Sequence, residues 1–202
     1  MSMIRNSITA FAPSLTYSVW FGALRFCLAS LLVFATVAFA ERWMYGHLGF
    51  YGAYATWTVL FIILGGMALS PLVTDRRRPW FYFVFGAAFL AYAVPWMAAY
   101  FTIRGTAGEW IGSLAGSVFM GVVLAVAFEA WRAVPKLLAV LCIANSAGYF
   151  LGAALFYSIP GEIGMLLFGV VYGLLLGAGL GAAFHLSQAS HRERRSTARS
   201  GL

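Results

Sequence analysis

Apolar residues run along this chain in six long stretches, at residues 17–40, 50–73, 80–101, 109–130, 135–158 and 163–186, separated by short polar clusters. Each stretch is long enough for an α-helix to cross a hydrocarbon core of about 30 Å, which takes about 20 residues. The runs do not alternate in polarity as the strands of a transmembrane barrel must, whereas a helix satisfies every backbone N–H and C=O within itself. The pattern therefore predicts an all-α integral membrane protein with six transmembrane helices. Connections fall at residues 41–49, 74–79, 102–108, 131–134 and 159–162. Pro79 and Pro135 open the third and fifth helices, where a missing N–H costs nothing. Pro95 lies within the third and predicts a kink.

Composition sharpens this reading. Of 202 residues, 62% are hydrophobic and 9% charged, too little polar surface to clothe a water-soluble domain. Residues 1–186 form one transmembrane domain, and residues 187–202 read as a basic cytoplasmic tail, disordered beyond Gln188, whose arginines lie against anionic headgroups. The net charge of +7 comes from residues at the ends of apolar runs, so it is a topology signal and gives no support to nucleic-acid binding. One side of the proposed membrane holds Arg5, Arg25, Arg76, Arg77, Arg78, Arg132, Lys136, Arg192, Arg194, Arg195 and Arg199; the other holds only Arg42 and Arg104. The first side is expected to be cytoplasmic, with both termini there, in a cell (inner) membrane. Trp20, Trp80 and Trp131 mark inner boundaries and Trp43 and Trp110 outer ones, leaving only Trp57 and Trp96 within spans. Arg25, the apolar residues 26–37 and Ala38-Phe39-Ala40 also imitate a signal peptide with its cleavage site. The leading segment of 40 residues exceeds the usual 15 to 30 or so, and residues 19–40 suit a full crossing, so the span is expected to be retained.

The chain also resembles itself at an offset of about 56 residues. From Pro79, an aromatic helix, the loop Ile103-Arg104-Gly105, then Glu109 and a glycine-bearing helix follow in order; from Pro135, the loop Ile159-Pro160-Gly161 and Glu162 repeat that order. With the first third as a weaker copy, the helices form three hairpins of one orientation. Glycines recur at four-residue spacing as Gly112 and Gly116, Gly148 and Gly152, and Gly169, Gly173, Gly177 and Gly181. Each series falls on one helix face, where absent side chains let backbones approach, within the chain or across a homo-oligomer. These helices are expected inside, with the aromatic first and third spans toward lipid.

Candidate chemistry is sparse. Glu109 and Glu162 begin the fourth and sixth helices, where a helix N-terminus stabilises a carboxylate; alternatively they rim an outward vestibule. Arg25 and Glu129 lie near inner helix ends, where they either snorkel or pair across an interface. Asn145 and Ser146 are the most polar neighbours near mid-membrane, and the amide needs interhelical hydrogen bonds or a substrate. Tyr54, Tyr92 and Tyr172 read as packing residues with hydroxyls. Cys27 and Cys142 lack metal or redox spacing, and His47, His185 and His191 share no common depth with a partner for haem or a serine nucleophile. No cofactor, metal site or catalytic set is expected. Two functions remain: a passive channel or facilitator for a small solute, with a path from Glu109 and Glu162 past Asn145 and Ser146, or a non-catalytic subunit or scaffold of a larger membrane complex. Cysteine replacements at Ser2 and Ser200 should label with an impermeant thiol reagent only from inside, and one at Thr106 only from outside; the reverse pattern contradicts the orientation.

Overall fold

In the computed structural model of the protein, the described residues are 13–73 and 78–200, with side chains through Arg194. Arg5, Arg76 and Arg77, and the side chains of Arg195 and Arg199, which entered the charge count, lie outside them. Among the described residues there are no strands. The chain forms α1 (Leu15–Leu69), a 3-10 turn (Ser70–Leu72), α2 (Arg78–Thr102), α3 (Gly105–Ala127), a second 3-10 turn (Trp131–Ala133), α4 (Val134–Ser158) and α5 (Glu162–Ser200). Five of the described helices are long and apolar enough to cross a bilayer. Leu24, Leu28 and Leu32, on one face of α1, and Phe83 and Ile143 elsewhere are all more than half exposed. Such an apolar exterior is what lipid solvates, and the chain is a multi-pass membrane protein.

The predicted connection at residues 41–49 is instead helix through Leu48, and only Gly49 leaves the helical region, at φ 67° and ψ 177°. Residues 41–48 are polar enough to look like a loop, but they contain no proline. The break falls at a residue that tolerates positive φ. The two limbs of α1, residues 15–48 and 50–69, then fold against each other. Phe26 and Phe61 stack with centroids 6.1 Å apart, where a straight helix would hold them about 50 Å apart. At the N-terminus Ser14 caps the helix, accepting from the Tyr17 N–H at 3.2 Å. α2 stays helical through Pro95, which cannot donate to the carbonyl one turn earlier.

α5 packs most extensively against α1 and α4, while α2 and α3 pair with each other and α3 packs on α4. Glycine sets the spacing. A β-carbon on Gly169 would meet Phe34, one on Gly173 would lie 2.6 Å from Ser30 Cβ, one on Gly177 would lie 2.7 Å from Phe26 Cβ, and one on Gly181 would meet the Ser18 carbonyl. Partners that step backward by about four residues as α5 advances describe two antiparallel helices in backbone contact along one row. The same occurs within the hairpins: Gly112 lies on Trp96 and Gly116 on Tyr92, while Gly152 lies on Phe168 and Gly148 on Tyr172.

The turns group at two ends. Phe50, just after Gly49, packs 5.1 Å from Phe101 at the end of α2, and Trp110 stacks 4.0 Å from Phe150. We call this the loop end. At the other, the terminal end, the Gln188 amide donates to the Leu72 carbonyl at 3.0 Å and His185 Nδ1 donates to that of Pro13 at 3.1 Å. Here α5 does not stop at Gln188, where the sequence suggested disorder, but continues as helix to Ser200. Its extension is held by those bonds and by a 3.3 Å contact from Arg194 to Glu129. The aromatic third span also differs from expectation: in α2, Phe81, Phe85, Phe89 and Tyr92 are buried in the core, which the lipid-facing assignment did not foresee. Replacing Gly173 with leucine should lower stability by about 2 kcal/mol or more, because the added volume must separate two backbones. A thermal melt in detergent checks this, and an unchanged midpoint would contradict the packing.

Candidate functional site

Between the packed rows the helices leave a cavity of about 310 Å³ that reaches inward from the loop end. Every helix contributes: Phe34 and Glu41 from the first limb of α1, Trp57 and Phe61 from the second, Tyr92 and Trp96 from α2, Glu109 from α3, Tyr149 and Tyr157 from α4, and Phe168 and Tyr172 from α5. Fourteen of its 23 lining residues are aromatic. They come from five segments, so no local run of sequence announces them, although the two tryptophans inside predicted spans, Trp57 and Trp96, are both among them.

The depth follows from helix geometry. Tyr92 and Tyr172 stand about 15 Å of helical rise from the ends of α2 and α5 at the loop end, half the thickness of a hydrocarbon core. Their hydroxyls meet at 3.1 Å and form the floor. The Tyr92 ring lies against Gly116 of its hairpin partner, and the backbone of Tyr172 lies against Gly148.

Behind this floor sits the mid-membrane polar pair named from the sequence. Tyr172 donates to Asn145 Oδ1 at 3.3 Å, Asn145 Nδ2 donates to Ser113 Oγ at 2.7 Å, and Ser113 Oγ lies 2.9 Å from Ser146 Oγ. Because Tyr172 gives its one proton to Asn145, Tyr92 donates to Tyr172, and the bonds run from Tyr92 to Tyr172 to Asn145 to Ser113, with Ser146 bonded to Ser113 at the end. The chain links α2, α5, α4 and α3, and all five residues are more than nine-tenths buried. Ser113 was missed in the sequence because a single serine in an apolar helix is common; only its partner across the interface distinguishes it.

The other predicted site residues divide. Glu109 lines the cavity, whereas Glu162 is exposed and lies outside its lining. Glu41, read as part of a loop, joins Glu109 at the loop-end mouth, and Tyr45 between them interacts with Glu41 and Tyr54. Arg25 and Glu129 do not pair. Arg25 is exposed with its guanidinium 5.2 Å from the Phe21 ring centre, on the face that carries Leu24 and Leu28. Glu129, at φ 53° where the chain leaves α3, meets Arg194 instead. That pair is more than half exposed and worth at most about 1 kcal/mol. Asn145 and Ser146 do not line the cavity; the tyrosine pair separates them from it.

Toward the terminal end the space is filled. Phe26, Phe81, Phe85, Leu176, Leu180 and Phe184 form part of a buried apolar cluster there. Among the described residues no three His, Cys, Asp or Glu side chains are placed to hold a metal ion. Comparison of the chain with protein families, characterised proteins and solved structures finds no match. Replacing Asn145 with leucine should cost about 1–2 kcal/mol, since it removes the acceptor of Tyr172 and the donor to Ser113 in a buried site, and Tyr92→Phe should cost less. Detergent melts of both variants check the order; equal, negligible shifts would show that the chain of hydroxyls contributes nothing.

Proposed function

We propose that the protein is a facilitator that admits a small solute from outside the cell into the aromatic cavity and releases it to the cytoplasm. In this reading the chain crosses the bilayer six times as three hairpins, because α1 doubles back at Gly49 and its two limbs each match one apolar run. The terminal end, with Arg78, Arg132, Lys136, Arg192 and Arg194, faces the cytoplasm by the excess of basic residues there. The observation that carries the reading is a cavity bounded by all the helices and ending at the membrane midplane, the depth at which transporters hold their substrates.

The path predicted from the sequence changes accordingly. It begins at Glu41 and Glu109, ends in this conformation at Tyr92 and Tyr172, and continues only if the floor and the apolar cluster beneath it move. Glu162 has no part in it. Asn145 acts by holding Tyr172 and does not contact the solute. Among the described residues no carboxylate or imidazole stands at the floor to carry a proton, and in this reading transport runs down the solute's own gradient.

Purified protein in liposomes should conduct part of a panel of small cationic, neutral and anionic solutes. Flux should be indifferent to a proton ionophore and abolished in Ala153→Trp, which fills the cavity from α4. Asn145→Leu should reduce it. Folded protein that passes none of the panel, and that copurifies from native membranes with a stoichiometric partner, would replace this reading with that of a scaffold subunit.

A further inference from the structure

The cavity's chemistry favours one class of occupant. Its only charged lining residues are Glu41 and Glu109, and neither forms an ion pair among the described residues; the basic residues of the loop end, Arg42 and Arg104, do not line it. Below the two acids the walls are aromatic, and aromatic faces carry negative potential that attracts cations when water is excluded. A carboxylate mouth over an aromatic cage repels anions at entry. It also offers a desolvated cation replacement for its hydration shell. An inorganic ion would lose more hydration than π faces return, whereas an alkylated ammonium has little to lose and apolar surface to bury.

We propose that the cavity binds a hydrophobic organic cation, an alkylated ammonium. The ammonium lies among the aromatic rings under Glu41 and Glu109. The proposal rests on the cavity being the solute's port and names the solute's class. The volume of about 310 Å³ sits at the lower end for small-molecule pockets, which limits the ligand to a compact one.

The test uses full-length protein in nanodiscs of zwitterionic lipid, titrated with choline and benzyltrimethylammonium while tryptophan fluorescence is read. An uncharged comparison, 3,3-dimethylbutan-1-ol, has choline's shape and hydroxyl with carbon in place of the ammonium nitrogen. Both cations should bind, the alcohol at least tenfold more weakly than choline. Glu41→Gln and Glu109→Gln should each weaken cation binding several-fold without changing the alcohol's, while Glu162→Gln leaves both unchanged. Absence of cation binding, or equal affinity for choline and its isostere, overturns the proposal, as does cation binding insensitive to both acid substitutions. The two readings fail separately: cation binding without flux removes the facilitator and keeps the site, whereas flux of neutral solutes blocked by Ala153→Trp keeps the facilitator and removes the cation.

Discussion

Backbone contact between the first limb of α1 and α5 is the constraint on which the remaining architecture depends. Gly22, Gly173, Gly177 and Gly181 let the two helices meet without intervening side chains, so that Ser30 Oγ reaches the Gly169 carbonyl at 2.8 Å. In lipid no hydrophobic effect drives helices together, and such close packing with a few polar bonds must supply the attraction. The row ends at Gly169. Beyond it, Met165, Val37 and Glu41 replace the small residues and the helices enclose space, so the tight contact at one end and the cavity at the other arise from one change in residue size along the pair.

The two later hairpins solve a related problem with opposite signs. α2 presents Tyr92 and Trp96 to Gly116 and Gly112 of α3, and α5 presents Phe168 and Tyr172 to Gly152 and Gly148 of α4. That exchange places Tyr92 and Tyr172 on helices that face each other across the centre, each backed by glycine. The floor of the cavity is thus made of two residues in corresponding layers of two hairpins. Asn145 ties it to α3 and α4 through Ser113.

The sequence made the helical content legible because hydropathy over about twenty residues reflects the solvent directly. Its failures are specific. Residues 41–48 look like a loop because Glu41, Arg42 and His47 are polar, yet nothing before Gly49 forces the backbone out of a helix. The tail looks disordered by composition, but composition does not show that His185 and Gln188, at its start, find the carbonyls of Pro13 and Leu72. Arg25 and Glu129 were matched by depth alone. Depth does not fix azimuth, and the face of α1 that carries Leu24 and Leu28 also carries Arg25 toward lipid. Asn145 was legible as a polar group requiring partners, while the identity of Ser113 and Tyr172 as those partners was not. The cavity was least visible of all, since each tyrosine or phenylalanine in an apolar run is ordinary by itself and only the fold gathers them.

Access to the cavity from one side of the membrane is the central claim, and cysteine labelling measures it directly. In protein whose native Cys27 and Cys142 are replaced by alanine, a cysteine at Thr58 is on the cavity wall and one at Leu176 is in the apolar cluster below the floor. An impermeant, cationic thiol reagent added outside intact cells should modify the first and leave the second untouched, and the same reagent added to inside-out vesicles should modify neither. Labelling of the Thr58 position from the cytoplasmic side alone, or of both positions from outside, would contradict an outward cavity closed at Tyr92 and Tyr172.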